Sequence, residues 1–110
     1  GAKTVCVRRG ELGAVVRDAK SGETWSLPAV IESQADVVDV TGCGNAFCGS
    51  FLASVLAGES TVEAAAWGSA AASLMAEAVG VPEEAAGTDR VRAEAKKRAE
   101  TVTTRAVRIA

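Results

Sequence analysis

The first part of the chain alternates short β-branched runs with polar turns. Residues 4–7 and 14–17 are apolar runs on either side of a glycine-flanked turn at residues 9–13. Residues 23–27 form a third run that ends at Pro28. Valine and threonine favour extended backbone, whereas glycine and proline favour turns. The pattern therefore predicts a hairpin-like unit of three short strands.

A further extended run changes into closely spaced glycines and then into helical spacing. Residues 37–40 are rich in valine and favour a strand, and Gly42 and Gly44 permit a tight turn. Apolar side chains then recur at helical spacing over residues 45–57, with Gly58 as the stop. The start of a helix presents unpaired N–H groups and the positive end of the helix dipole, so the pattern predicts an anion site over this turn.

Two more helices are predicted in the second half of the chain. Ser60 and Glu63 have the spacing of a capping box, and the alanine-rich helix that they open closes at Gly80. A third helix is predicted over residues 90–101, capped by the residues just before it. The tail at residues 88–110 is therefore a C-terminal helix that is either docked on the sheet or a peripheral arm.

Composition adds few constraints on function. The 110 residues are 48% hydrophobic with a formal charge of −2, which describes one globular domain and names no partner. The richest cationic stretch, residues 90–108, is interleaved with glutamates and indicates a solvated helix face, so nucleic-acid binding is not expected. We expect no membrane span, because the longest uncharged run, residues 40–58, is interrupted by glycines and by Thr41 and Asn45.

The N-terminal residues and the cysteines indicate the cellular compartment of the protein. Residues 1–10 have no continuous apolar stretch of the kind found in signal peptides, and the missing initiator Met predicts that the sequence begins inside a longer protein. The three cysteines lack the spacing of a zinc or redox motif. We therefore expect the cytoplasm or another reducing intracellular compartment.

The glycine turn also carries a resemblance to a known family. Residues 39–47 read Asp-Val-Thr-Gly-Cys-Gly-Asn-Ala-Phe. This resembles the second signature of the pfkB (ribokinase-like) carbohydrate kinases, usually Asp-Thr-Thr-Gly-Ala-Gly-Asp-Ala-Phe, and six of nine positions agree. The order of elements around the turn also fits. The resemblance implies an α/β, ribokinase-like three-layer fold, of which residues 1–110 are the incomplete C-terminal, ATP-side portion.

The resemblance implies a reaction and an anion hole. The family transfers the γ-phosphoryl group of ATP, with Mg²⁺, to a sugar hydroxyl, and this chemistry rests mainly on positioning and electrostatics. The anion hole would consist of the backbone N–H groups of Gly42, Cys43 and Gly44. Asp39 and the backbone near Thr41 would hold a monovalent cation, although an aspartate at this place is also a common turn former.

One departure from the signature falls on the residue that carries the chemistry. The catalytic base of the family is the aspartate that closes the glycine turn, and here that position is Asn45. An amide does not accept a proton as a carboxylate does. Two interpretations stay open: a carbohydrate kinase whose activity is in question, and an inactive pseudokinase that serves as a structural or interaction module.

The resemblance also implies nucleotide contacts outside the signature. Arg8 replaces the usual Thr or Ser of the turn that contains Gly10, and it either reaches a phosphate as a fixed cation, fills the space of ATP, or lies exposed at a strand edge. Ser69 falls where the family places an adenine-binding Asn, and Gly80 belongs to the loop that holds the base and a monovalent cation.

The resemblance further implies the partners of the chain. A kinase of this family binds ATP and a sugar or nucleoside. A parallel sheet with helices on one face needs cover on the other, so we expect the rest of a longer chain or a protein partner to supply it.

Overall fold

The computed structural model of the chain describes residues 1–30, 37–77 and 89–110. In these ranges four strands form one sheet in the order β1-β2-β3-β4, and three α-helices accompany it. The elements in chain order are β1 (Thr4–Arg8), β2 (Ala14–Asp18), β3 (Thr24–Leu27), α1 (Cys43–Leu56), α2 (Thr61–Ala76), α3 (Asp89–Thr104) and β4 (Val107–Arg108).

The predicted three-stranded unit is confirmed, but its sheet is antiparallel throughout rather than parallel. Val16 in the middle of β2 lies opposite Cys6 of β1 on one side and Trp25 of β3 on the other. Short turns join β1 to β2 and β2 to β3, and strands joined in this way can pair only antiparallel. The 3₁₀ turn Gly10–Leu12 connects the first two strands.

The core lies between one face of the sheet and α2. Val16 and Leu27 on the inner sheet face are each 1% exposed, and they pack in one cluster with alanines of α2 such as Ala65 and Ala66. Burial of a side chain the size of Leu27 stabilises the fold by roughly 1.5–3 kcal/mol. Because alanine is small, α2 lies close to the sheet, with α1 on one side of it and α3 on the other.

The ends of the first two helices follow from local signals. The helix α1 begins at Cys43 instead of residue 45, and Gly58 beyond its end has a left-handed φ of 88°. The capping box of α2 is confirmed, because the Ser60 hydroxyl accepts the N–H of Glu63 at 3.1 Å. The predicted stop at Gly80 lies outside the described residues.

The prediction of a strand over residues 37–40 is wrong. The N–H groups of Val38 and Asp39 both donate to the carbonyl of Ala76, at 2.7 and 3.1 Å. The last carbonyls of a helix have no partner inside that helix. The valine-rich segment therefore pairs with the C-terminal end of α2 instead of joining the sheet.

The C-terminal segment packs against the rest of the fold. The helix α3 packs on α2, with Ala99 and Val102 buried in the same cluster as Val16 and Leu27 of the sheet and with Ala93 exposed. After it, the unpredicted strand β4 returns to the sheet, where Val107 pairs with Ser26 of β3.

The outer face of the sheet stays open in the described part of the chain. Val5, Val7 and Val107 point to this face and are 47%, 54% and 59% exposed. On the outward side of α1, Leu56 is also largely exposed. None of the described helices combines the length and hydrophobicity needed to cross a membrane.

Candidate active site

The glycine turn begins α1 with backbone that only glycine adopts easily. Gly42 is the N-cap of α1 with a φ of 84°, in the left-handed region. A Cβ atom at this position would lie 2.7 Å from the terminal methyl of Met75 on α2. The left-handed backbone therefore favours glycine at this position, whereas the Met75 methyl is the end of a flexible side chain and could shift.

Asp39 fixes the chain just before the turn. Its Oδ1 accepts the N–H of Thr41 at 2.9 Å, and this hydrogen bond lowers the pKa of the Asp39 carboxyl from its usual value. The carboxylate is therefore ionised at neutral pH. It acts as a turn former in this structure, and its predicted part in binding a monovalent cation stays a prediction.

The free N–H groups at the start of α1 differ in part from the predicted set. The N–H of Cys43 donates to the carbonyl of Val40 at 3.2 Å. Among the described residues, no backbone acceptor bonds the N–H groups of Gly42, Gly44 or Asn45. The first turn of α1 carries no acidic side chain. The helix start thus presents N–H donors that favour an anion, with the ionised Asp39 carboxylate close enough to act on Cys43.

Arg8 reaches this helix start from the end of β1. Its guanidinium carbon lies 5.6 Å from the centroid of the Phe47 ring, within the range of a cation–π contact. A Cβ atom on Gly44 would lie 2.8 Å from Nη1 of Arg8. Within the described ranges no carboxylate forms an ion pair with Arg8. The guanidinium therefore adds positive charge next to the free N–H groups.

A cavity of about 210 Å³ opens beside the turn. Its lining is contributed by the β1–β2 turn, the start of α1 and the inner face of α2. The walls are mostly apolar, with the hydroxyls of Ser69 and Ser73 on the α2 side. Apolar walls with a few polar groups are the usual lining of a small-molecule site.

The turn that borders the cavity contains two glycines with different constraints. Gly10 has a φ of 57° and open space around it. Gly13 is buried with a φ of 88°, and a Cβ atom there would overlap the carbonyl of Leu27. The sequence identifies both as turn formers, but only the structure shows that Gly13 is also a packing requirement.

The Cys43 thiol lines the same cavity. Its Sγ lies 3.9 Å from the backbone oxygen of Asp39. Burial, and secondarily the negative charge of Asp39, raises the pKa of the Cys43 thiol above its usual value. The protonated thiol is a weak nucleophile, so the side chain belongs to the wall of the cavity.

The structure brings most of the predicted site residues together. Four of them line the cavity: Arg8, Gly10, Cys43 and Ser69. Asn45 is exposed at the start of α1, and Gly80 lies outside the described residues. No group of three His, Cys, Asp or Glu side chains in the described ranges could hold a metal ion.

The sequence did not predict the residues at the C-terminal end of α2 and on α3 that support the site. Ala76 holds the segment before the turn through its carbonyl, and Arg98 of α3 contacts Ser73 and Glu77 on the same end of α2. No motif marks these positions. An arginine in a charged helix is indistinguishable in sequence from its solvated neighbours.

Comparison with known proteins gives a consistent family. The model of the pfkB family of carbohydrate kinases matches residues 1–85. The 2-dehydro-3-deoxygalactonokinase of Haloferax volcanii is 42% identical over 72 residues, which make up 66% of this chain and 21% of that protein. The chain therefore spans about a fifth of this curated relative.

Solved structures agree in fold. A nucleoside kinase of Burkholderia thailandensis in complex with inosine has a TM-score of 0.72 at 34% identity, over 91% of this chain and 30% of that one. The nucleoside kinase of Methanocaldococcus jannaschii, an archaeal member of the ribokinase family, has a TM-score of 0.70 at 24% identity over 86% of this chain and 30% of its own. The expected ribokinase-like fold is confirmed.

Proposed function

The chain belongs to the pfkB family of carbohydrate kinases, and from this premise we propose that it is the ATP-side part of a kinase that phosphorylates a hydroxyl of a sugar or nucleoside with ATP. One observation carries the proposal: the start of α1 and the guanidinium of Arg8 lie next to each other, and both Arg8 and Cys43 line the cavity. A positive helix end beside an apolar cavity suits a ligand that joins phosphates to a base.

The residues of the cavity fit ATP. The adenine would lie against the apolar walls, where the hydroxyl of Ser69 offers a hydrogen bond to the edge of the base. The phosphates would lie at the N–H groups of Gly42 and Gly44, with Arg8 as a fixed cation beside them. Magnesium, which prefers phosphate oxygens and one or two carboxylates, would come with the nucleotide.

Asn45 limits what these residues do in the reaction. The N–H groups of the turn stabilise the charge of the transferring phosphoryl group, which is the largest part of such catalysis. The amide of Asn45 can donate a hydrogen bond but does not take the proton of an acceptor hydroxyl. Loss of a general base typically lowers the rate by about 10²- to 10⁴-fold. We therefore propose slow phosphoryl transfer.

A second candidate function is a pseudokinase that serves as a structural or interaction module. Two observations favour it. Asn45 occupies the position of the family base, and the side chain of Arg8 lines the cavity that ATP would enter. In this alternative Arg8 fills part of the nucleotide space.

The open surfaces support a larger assembly for either function. The exposed valines of the outer sheet face, Val5, Val7 and Val107, need apolar cover. We propose that the remainder of a longer kinase chain supplies it, because the solved neighbours are about three times longer than the part matched. The three free cysteines fit a reducing compartment such as the cytoplasm.

The substrate proposal follows the names of the relatives. One relative is a kinase of a deoxy sugar acid and another binds inosine. Both classes offer a primary or secondary hydroxyl as acceptor. The acceptor panel therefore includes sugars, sugar acids and nucleosides.

The first experiment compares the natural full-length protein with Asn45→Asp. We expect both to bind ATP with Mg²⁺ in calorimetry with similar affinity. Turnover of the acceptor panel should rise by about 10²- to 10⁴-fold in Asn45→Asp, since a positioned carboxylate restores the general base. Asn45→Ser is the matched control, because it removes the amide without supplying a base, and its turnover should not rise.

The outcomes separate the two functions. ATP binding without turnover in either protein would favour the pseudokinase. Turnover in the natural protein as fast as in Asn45→Asp would show that Asn45 does not limit the reaction. Absence of ATP binding in both would reject the nucleotide site and leave a scaffold.

A further inference from the structure

The C-terminal end of α2 carries the segment that leads into the glycine turn. The carbonyl of Ala76 accepts the N–H groups of Val38 and Asp39 at 2.7 and 3.1 Å. One residue earlier on α2, the Met75 methyl lies against Gly42. The position of the last turn of α2 therefore fixes the position of the backbone just before the start of α1.

Arg98 of α3 holds this same turn of α2 from the other side. Its Nη1 lies 2.7 Å from Oε1 of Glu77 and donates to the Ser73 hydroxyl at 3.0 Å. Its Nη2 donates to Oε2 of Glu77 at 3.2 Å, and its Nε donates to Glu94 at 2.8 Å. The guanidinium thus binds residues on both sides of Ala76.

The environment of Arg98 makes this contact firm. The Arg98 side chain is 18% exposed. Ser73 is 5% exposed, and its hydroxyl donates a hydrogen bond to the carbonyl of Ala70 at 2.7 Å. A planar guanidinium that pairs with both oxygens of one carboxylate restricts the geometry more than a single charge does. Since Ser73 and Ala76 also line the cavity, Arg98 supports the cavity wall as well.

We propose that Arg98 is a positioning residue for the site. By fixing Ser73 and Glu77 it fixes the carbonyl of Ala76, and that carbonyl holds the N–H groups of Val38 and Asp39. The start of α1 then keeps its position beside the cavity, where Cys43 forms part of the wall. The effect on ATP rests on the proposed function, whereas the effect on the backbone of residues 38–39 does not.

The test measures amide hydrogen exchange and ATP affinity in the natural full-length protein and in three variants. Arg98→Met removes all four contacts. Arg98→Lys keeps the charge but can serve fewer acceptors. Arg92→Met is the matched control, because it removes the same charge from an exposed position of the same helix.

We expect local loosening in Arg98→Met. Exchange of the Val38 and Asp39 amides should speed up by about 2- to 30-fold, the range typical of residues that couple two sites. The dissociation constant for ATP should rise by a similar factor. Arg98→Lys should fall in between, and Arg92→Met should match the natural protein.

An amide that has no hydrogen bond to α2 or Arg98 serves as the internal reference. The N–H of Asp18, which bonds the carbonyl of Glu23 in the β2–β3 turn, should exchange at the natural rate in every variant. Equal acceleration of Asp18 and Val38 would mean that Arg98 supports only global stability, and the proposal would be wrong. Faster exchange at Val38 with unchanged ATP affinity would also overturn it.

The proposed function can fail separately. If the natural protein does not bind ATP, the nucleotide site is rejected. Amide exchange at Val38 and Asp39 then still decides whether Arg98 positions the backbone before the turn, because the exchange rates of these amides can be measured without a ligand. Natural exchange rates at both amides in Arg98→Met would reject that coupling.

Discussion

Two arginines occupy opposite sides of the site and have opposite surroundings. Arg8 is exposed at the end of β1, over the ring of Phe47 and beside Gly44. Arg98 is half-buried on α3, where two glutamates and a serine accept its N–H groups. The guanidinium is the same in both, but among the residues that the structure describes only Arg98 has carboxylate and hydroxyl acceptors for its N–H groups.

The difference separates a structural cation from one that can serve a ligand. A guanidinium with two carboxylates beside it has little left to offer an incoming anion. A guanidinium on an aromatic face keeps its N–H groups free for oxygen acceptors. We therefore expect substitution of Arg98 to change the folded state and substitution of Arg8 to change binding.

The largest expected effect on stability is that of Arg98→Met. The substitution should lower the free energy of unfolding by about 1–3 kcal/mol, because it leaves the buried Ser73 hydroxyl and two carboxylates without their donor. Denaturant unfolding measures it. Arg92→Met, on the same helix, should stay within about 0.5 kcal/mol of the natural protein, and equal losses in both variants would contradict the difference between the two sites.

The next effect is that of Arg8→Thr, and it should appear in binding. Loss of the contact with Phe47 should lower the free energy of unfolding by only about 0.5–1 kcal/mol. Loss of a charged hydrogen bond to phosphate should weaken ATP binding by about 10- to 100-fold. Calorimetry on the full-length protein measures it, with Arg9→Thr as the control at a neighbouring exposed arginine.

The direction of the Arg8→Thr result separates the interpretations of this residue. Tighter binding of ATP would show that Arg8 fills nucleotide space, as the pseudokinase alternative holds. Unchanged binding would show that Arg8 is an ordinary exposed side chain. Either result would contradict the expectation that Arg8 binds the phosphates of ATP.

The smallest effect is a pH dependence that involves Arg98 and not Arg8. The hydrogen bond and the charge of Arg98 lower the pKa of Glu94 from its usual value. The unfolded state then takes up the proton more readily, so this stabilisation is present above the unfolded pKa and is lost as the pH falls through the folded pKa.

Acid titration of unfolding stability tests this sign. Glu94→Gln should flatten the acid limb of the stability curve, since the residue no longer titrates. Arg8→Thr should leave that limb as it is in the natural protein, because no carboxylate pairs with Arg8 among the described residues. If the acid limb is the same in Glu94→Gln as in the natural protein, the expected difference in pH dependence between Arg98 and Arg8 is wrong.

Elements with local signals could be predicted from the sequence. The first hairpin, the glycine stop of α1 and the capping box at Ser60 depend on residues within a few positions of one another. The strand predicted at residues 37–40 failed because Ala76, far along the chain, takes its N–H groups. Valine propensity carries no information about such a distant acceptor.

The site was predictable where the family signature marks it. The glycine turn at Gly42 follows from the glycine spacing, whereas α1 begins at Cys43, two residues before the predicted start. The approach of Arg8 to Gly44 and the anchoring of α2 by Arg98 depend on tertiary packing. The sequence does not distinguish these two arginines from the exposed arginines of the chain. The strand β4 has only two residues, which is too short to show a pattern of apolar positions.

The close packing at Gly13 has a consequence for how a ligand enters. At Gly13 the backbone of the β1–β2 turn lies against the Leu27 carbonyl with no room for even a methyl group, so this end of the turn is held on the sheet. Such close packing opposes movement of the backbone away from this side of the cavity. Passage therefore depends on rotation of side chains about their own bonds, which occurs in picoseconds to nanoseconds for an exposed residue such as Arg8.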